Sequence, residues 1–125
     1  MTPGSVLIVD DNQDLAENLG EALEVEGFEC AIAHDGDSAI AKLEDRPFDL
    51  VITDLRMTPR DGIAVVQAVR SRSATTPVVL MTAFAGEVQL DQARKAGVTA
   101  LVAKPVDTSR LVALVREQLD GPAEP

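Results

Sequence analysis

Short apolar runs alternate along the chain with longer segments that have helical spacing of apolar residues. The apolar runs cover residues 6–9, 30–33, 50–52, 78–81 and 98–102. They are rich in Val, Ile and Leu, and their lengths suit strands that are buried on both faces. The pattern therefore predicts five short strands in the interior of an α/β protein.

Each predicted strand is followed by a predicted helix. In the first helix Leu15, Leu19 and Leu23 fall on one face, and Gly27 ends it. Four further helices are indicated by apolar residues at 39–43, 63–69, 88–96 and 111–119, and Asp107 is the predicted N-cap of the last one. Five strand–helix repeats imply parallel strands, right-handed crossovers and helices on both faces of the sheet. We expect one domain over residues 1–120, with residues 121–125 as a C-terminal tail or the start of a linker.

Composition and charge restrict the possible partners. Hydrophobic residues make up 46 % of the 125 residues, which is enough for one core, and aromatic residues make up only 2 %. The net charge of −10 would repel nucleic acid and acidic lipid, so direct binding to either is not expected. Cys30 is the only cysteine, which excludes an intramolecular disulfide. With no leader-like start and no long apolar segment, we expect a cytoplasmic protein.

Polar residues that suit phosphoryl chemistry follow four of the five strands. Ligands of an open parallel sheet bind beyond the carboxyl ends of its strands. Asp10 and Asp11 follow the first strand, Asp54 the third, Thr82 the fourth and Lys104 the fifth. We therefore expect three carboxylates, a hydroxyl and an ammonium to converge at one edge of the sheet.

Clustered carboxylates repel one another, and a divalent cation would relieve that repulsion. Oxygen ligands are those that Mg²⁺ prefers, together with waters and phosphate oxygens. An aspartate nucleophile, a metal ion and a cation for the phosphoryl oxygens are the parts that phosphoryl transfer needs. The cluster thus predicts a magnesium site at which Asp54 could accept a phosphoryl group.

The same residues resemble the response-regulator receiver family of two-component signal transduction. The resemblance rests on the apolar strand before Asp10-Asp11, on Asp54, on Thr82-Ala83 and on Lys104-Pro105, and it covers about residues 5–119. It implies a flavodoxin-like, CheY-like doubly wound (βα)5 fold with strand order 2-1-3-4-5. It also implies a cis peptide bond between Lys104 and Pro105.

The resemblance also implies a role for each matching residue. Asp54 would be the phosphoacceptor, and magnesium would be held by Asp10, Asp11, Asp54 and the backbone carbonyl of Arg56. Thr82 and Lys104 would bind the phosphoryl group. The donor would be a sensor histidine kinase or a histidine phosphotransfer protein, so the chain would catalyse only its own phosphorylation and dephosphorylation.

Two departures from the family pattern change what is expected of the switch. Met57 is followed by Thr58 and not by proline, which predicts a different path for the loop between the third strand and the third helix. Leu101 stands where many receivers have Tyr or Phe, so the usual coupling between threonine and an aromatic ring is not expected. We expect the signal to pass mainly through the loop at residues 83–87 to the face formed by the fourth helix, the fifth strand and the fifth helix. The partner surface would be centred on the fourth helix, around Asp91, Arg94 and Lys95, and on the neighbouring fifth helix.

Other functions fit the sequence less well. Phosphatases that form an aspartyl phosphate often have a carboxylate two residues after the nucleophile, where this chain has Arg56. A dinucleotide site needs glycines after the first strand, where this chain has Asp10-Asp11. A receiver-like interaction module that is never phosphorylated remains the alternative. His34 is expected to be an exposed loop residue away from the acidic cluster.

The output of the protein stays open at this point. The chain could act alone or belong to a longer protein, and the downstream partner is not identified. Leu114 replaces an arginine found in receivers that form a charged dimer face. We therefore expect a monomer or a weak homodimer.

Overall fold

The computed structural model describes residues 4–57, 61–83 and 87–120, and the side chains of all of these except 87–90 and 120. Strands and helices alternate through the described chain. The strands are β1 (Ser5–Val9), β2 (Glu29–Ala33), β3 (Leu50–Asp54), β4 (Val78–Thr82) and β5 (Ala100–Ala103). The helices are α1 (Gln13–Val25), α2 (Gly36–Asp45), α3 (Gly62–Arg72), α4 (Glu87–Ala96) and α5 (Thr108–Asp120).

The five strands form one parallel sheet in the order β2-β1-β3-β4-β5. The predicted fold class and strand order are therefore confirmed. The Lys104–Pro105 peptide bond is cis, as the resemblance implied.

The two faces of the sheet are covered by different helices because successive side chains of a strand point to opposite faces. Val6 and Ile8 of β1 pack in one cluster with residues of α1 and α5. Leu7 and Val9 pack in a second cluster with residues of α2 and α3. A smaller cluster joins Leu80 to Ala93 of α4. Both faces of the central strands are thus covered, and the carboxyl ends of the strands remain for polar chemistry.

Helix starts are determined locally by short polar side chains. Asn12, Asp35 and Asp61 are the N-caps of α1, α2 and α3, and each accepts a hydrogen bond from a backbone N–H one turn later. Asp107 accepts from the N–H groups of Ser109 and Arg110, so its predicted role at the start of α5 is confirmed.

The prediction for the outer strands was partly wrong. β1, β3 and β4 are buried on both faces, apart from the first residue of β1, but the edge strands β2 and β5 are only partly covered. β5 also starts at Ala100 and not at residue 98. Residues 98 and 99 belong to the α4–β5 connection, where Thr99 Oγ1 accepts a hydrogen bond from the Val78 N–H at 3.0 Å. An apolar sequence alone does not distinguish such a tethered loop from a strand.

Candidate phosphoryl-transfer and metal site

Three carboxylates meet at the carboxyl end of the sheet. Asp10 directly follows β1, Asp54 is the last residue of the neighbouring strand β3, and Asp11 begins the connection to α1. Each offers a carboxylate oxygen within 4.8 Å of those of the others. Asp10 is fully buried, Asp54 is 7 % exposed and Asp11 is exposed, so the cluster opens to solvent on the side of Asp11. The structure thus brings together the residues that the sequence predicted to converge.

Lys104 lies between two of these carboxylates. Its Nζ atom is 3.0 Å from Asp10 Oδ2 and 3.3 Å from Asp54 Oδ1. Three carboxylates against one ammonium leave the cluster with a formal charge of −2. A divalent cation would neutralise that charge, and the all-oxygen donor set suits Mg²⁺. The residues present therefore fit a magnesium ion.

Thr82 lies beside Lys104 because their strands are neighbours. It is the last residue of β4, 7 % exposed, and its backbone carbonyl accepts a hydrogen bond of 2.9 Å from the Lys104 N–H. The hydroxyl and the ammonium are thus carried by two paired strands that end at the same edge.

Asp10 is held by hydrogen bonds from several segments. Its Oδ1 accepts from the Asn12 N–H at 2.9 Å, and its own N–H donates to the Ala33 carbonyl at 3.1 Å. His34 Nδ1 is 3.3 Å from the Asp10 carbonyl oxygen, to which it donates when that nitrogen carries the proton. His34 is exposed as predicted, but the expectation that it lies away from the acidic cluster was wrong. The pairing of β1 with β2 brings the β2–α2 loop to the site, which sequence distance conceals.

The pKa values of Asp54 and Lys104 are shifted by burial and by neighbouring charges. Burial and the charge of Asp10 raise the pKa of Asp54 above its ordinary value, and the Lys104 ammonium only partly opposes that rise. Burial alone would lower the pKa of Lys104, but the hydrogen bond and charge of Asp10, together with the charge of Asp54, raise it above its ordinary value. Lys104 therefore stays charged at neutral pH, while the Asp54 carboxylate is in an unfavourable environment.

The backbone of Asp54 is packed against the start of α3. A Cβ atom on Gly62 would lie 2.2 Å from the Asp54 carbonyl oxygen, and the Gly62 N–H donates to the Leu55 carbonyl at 2.8 Å. The same Asp54 carbonyl accepts a hydrogen bond from the Thr53 hydroxyl at 3.0 Å. The apolar spacing of residues 63–69 predicted the helix but did not reveal this close contact at its start. The Asp61-Gly62 pair was the available signal, since glycine allows close backbone approach.

Arg56 and Leu101 are both at the surface. Arg56 is exposed and lines, with Asp11 and Met57, a cavity of about 350 Å³ next to the carboxylates. Leu101 lies on β5 with 37 % of its surface exposed, beside a groove shared with α5. Residues 58–60 and 84–86, which include most of the predicted variant loop and of the β4–α4 loop, lie outside the described residues.

Comparison with known proteins decides the family. The model of the response regulator receiver domain family matches residues 6–116, nearly the whole chain. The chain belongs to the response regulator receiver domain family. Receiver domains of this family act in two-component signalling.

Several curated relatives of this receiver domain are longer proteins. A response regulator receiver protein of Anaeromyxobacter sp. is 39 % identical over 108 residues, which cover 86 % of this chain and 45 % of the relative. The transcriptional regulatory protein CpxR of Escherichia coli is 36 % identical over 111 residues, covering 89 % of this chain and 47 % of the relative. The receiver domain thus spans less than half the length of these relatives.

Solved structures share the fold. The Vibrio cholerae chemotaxis protein CheY4 superposes with a TM-score of 0.86 at 29 % identity, covering 92 % of this chain and 98 % of that one. A CheY-like receiver domain protein of Methanospirillum hungatei gives a TM-score of 0.89 at 27 % identity, with 93 % of each chain covered.

Within residues 4–57, 61–83 and 87–120, none of the helices is both long and apolar enough to cross a bilayer.

Proposed function

We propose that this receiver domain accepts a phosphoryl group on Asp54 in a magnesium-dependent reaction, from a phosphohistidine of a sensor histidine kinase or a histidine phosphotransfer protein. The observation that supports this most directly is the contact of Asp54 with Lys104 inside a cluster of three carboxylates. Asp10, Asp11, Asp54 and the carbonyl of Arg56 are the proposed metal ligands. When bound, Mg²⁺ would neutralise the carboxylates and the charge that develops on the phosphoryl oxygens.

The reaction needs little from the protein beyond position and charge. An Asp54 carboxylate oxygen attacks phosphorus, and the P–N bond to the donor histidine breaks as the new P–O bond forms. The electron pair of the P–N bond stays on the imidazole nitrogen, which takes up a proton. Lys104 binds one phosphoryl oxygen and the Thr82 hydroxyl another.

Lys104 connects phosphorylation to a change of shape. In the unphosphorylated protein its ammonium contacts both Asp10 and Asp54. A phosphoryl group on Asp54 adds roughly 1.5 to 2 negative charges and three strong acceptor oxygens. Lys104 and Thr82 are drawn toward them, and the ends of β5 and β4 move together because their backbones are hydrogen-bonded.

The response then reaches the α4–β5–α5 face through the connection that follows Thr82. Asp91, Arg94 and Lys95 are exposed on α4 and form the proposed partner surface. Leu101 is already exposed on β5 and has no polar group to exchange partners, so its contribution to the switch is small. The response is therefore carried mainly by α4.

The remaining proposals concern the location, the oligomeric state and the output of the protein. We propose a cytoplasmic receiver, monomeric or weakly dimeric, that covers residues 1–120 and leaves residues 121–125 as a tail or linker. It binds no nucleic acid and no membrane directly, since its net charge is −10. Output passes to a downstream protein or to a further domain, as the greater length of the curated relatives suggests.

Labelling with a small acyl- or amido-phosphate donor tests the phosphoacceptor. With magnesium, the wild type should gain one acid-labile, hydroxylamine-sensitive phosphoryl group per chain, as measured by intact mass. Asp54→Asn should abolish the label. Asp45→Asn, which removes an exposed carboxylate at the end of α2, should leave it unchanged.

Two results would contradict the proposal. Equal labelling of Asp54→Asn and wild type would show that another group is the acceptor. No labelling of the wild type, together with a partner that binds it regardless of donor, would favour the interaction module that is never phosphorylated.

A further inference from the structure

Arg70 of α3 joins three segments at the end of the sheet opposite the phosphorylation site. Its Nε and Nη2 atoms both donate to the Gly97 carbonyl, at 3.0 and 2.7 Å. Its Nη1 donates to the Thr76 carbonyl at 2.7 Å and to the Ser73 carbonyl at 3.2 Å. Nη2 also lies 3.4 Å from Thr99 Oγ1. One partly buried guanidinium thus ties the end of α3 to the loops before β4 and after α4.

The contact with Gly97 is built into the end of α4. Gly97 has a φ of 104°, and the Gly97 and Val98 N–H groups both donate to the Ala93 carbonyl, closing the helix. A Cβ atom on Gly97 would lie 2.8 Å from Arg70 Nε. The bare glycine therefore permits the left-handed turn and the close approach of the guanidinium.

The same contacts anchor the beginning of β4. Thr99 exchanges two hydrogen bonds with Val78: its Oγ1 accepts from the Val78 N–H at 3.0 Å, and its own N–H donates to the Val78 carbonyl at 2.8 Å. Thr82, which is proposed to bind the phosphoryl group, lies at the other end of this strand. β4 and α4 are thus both held at the end far from Asp54.

We propose that Arg70 is a positioning residue of the phosphorylation response: it fixes the C-terminal end of α4 at Gly97, so that phosphorylation moves the N-terminal end of the helix about that point. This inference rests on the proposed function of Asp54. Charge-assisted, two-atom donation to one carbonyl requires the planar fork of arginine, which lysine lacks. Without the fork, the response should spread to the whole helix and to the connection before β5.

Amide hydrogen exchange in the absence of any ligand tests the anchor. Arg70→Lys keeps the charge and loses the fork, and we expect exchange at residues 96–99 to rise about tenfold or more, since hydrogen bonds from a charged donor are lost. Arg72→Gln is the matched control. This exposed arginine lies about half a helical turn after Arg70 on α3 and pairs with Glu44. It should leave residues 96–99 unchanged.

Amide chemical shifts with and without beryllofluoride, a phosphoryl mimic, test the pivot. In the wild type and in Arg72→Gln we expect large shifts at residues 87–93 and small ones at 97–99. In Arg70→Lys the shifts at residues 97–99 should become comparable with those at 87–93. Arg70→Gln should give the same pattern, which separates loss of the fork from a peculiarity of lysine.

Several outcomes would overturn the inference. Equal beryllofluoride shifts at residues 97–99 and 87–93 of the wild type would show that no pivot exists. A rise in exchange that is as large in α1 as at residues 96–99 would show that Arg70 only stabilises the fold. If beryllofluoride shifted no wild-type amide, the proposed function itself would fail, whereas the ligand-free exchange would still report whether Arg70 holds Gly97.

Discussion

At the scale of single residues, Asp54 is placed where its charge is unfavourable. Burial and Asp10 raise its pKa, and Lys104 offsets only part of the effect. A carboxylate whose pKa is raised on folding binds its proton more tightly in the native state than in the unfolded chain. Its contribution to stability therefore falls as pH rises from the ordinary aspartate range through the raised pKa. This cost is the expected consequence of collecting charges for chemistry.

Replacing Asp54 by asparagine should therefore stabilise the metal-free protein at neutral pH. The gain in unfolding free energy over wild type should be small in acid, grow as pH rises through that window, and then level off. Urea denaturation in the presence of a chelator, from acid to neutral pH, measures it. Asp45→Asn supplies the comparison, since Asp45 lies outside the cluster. A gain for Asp54→Asn that is the same at all pH values would contradict the electrostatic explanation.

At the scale of elements, the contact between the end of β3 and the start of α3 affects both the stability of the fold and the position of Asp54. Asp61 caps α3, and Gly62 then lies directly against the Asp54 carbonyl. The first residue of the helix and the phosphoacceptor are therefore in direct backbone contact. A side chain at Gly62 would have to displace that backbone.

Gly62→Ala should destabilise the protein by about 1–3 kcal/mol, the usual cost of forcing extra atoms into a packed interior. It should also slow phosphorylation, because Asp54 moves. Gly20→Ala in α1 is the matched control: its Cβ would meet Ile32 at 3.5 Å and Ile8 at 3.7 Å, which are ordinary contacts. That variant should gain about 0.5–1 kcal/mol from helix propensity. Urea denaturation of both variants measures the two changes in unfolding free energy. Equal destabilisation by Gly62→Ala and Gly20→Ala would contradict the predicted role of the Gly62 contact.

At the scale of the whole molecule, the site exists only in the folded sheet, since its residues come from the ends of β1, β3, β4 and β5. A ligand that binds only the native state raises stability by mass action. Magnesium at about thirty times its dissociation constant should add about 2 kcal/mol, or roughly 6–10 °C in melting temperature.

Asp11→Ala tests whether this stabilisation comes from the carboxylate cluster. Asp11 is exposed, so its removal should leave the fold intact and the metal-free melting temperature unchanged or higher. More than half of the magnesium-dependent rise should be lost. Thermal melts must be made at matched ionic strength, because any cation screens the repulsion within a chain of net charge −10 and so raises its stability. The same rise in Asp11→Ala and wild type would place magnesium elsewhere.

The fold class and the residues of the acidic cluster could both be predicted from the order of residues along the chain. Runs of β-branched and aliphatic residues predict buried parallel strands, and the carboxyl ends of such strands share one edge. Asp10, Asp54 and Lys104 each follow such a run, so their convergence could be inferred without coordinates. The caps were also local: Asp107 needed only its own turn to be recognised.

Contacts between segments far apart in the chain could be found only in the folded molecule. Lys104 contacts Asp10, His34 lies against the Asp10 carbonyl, and Arg70 contacts the Gly97 carbonyl, across 94, 24 and 27 positions respectively. Periodicity records which side a residue faces, but not which neighbour meets it there. Those neighbours depend on strand order and on how α3 packs beside α4. The start of β5, two residues later than its apolar pattern predicted, depends on such contacts as well.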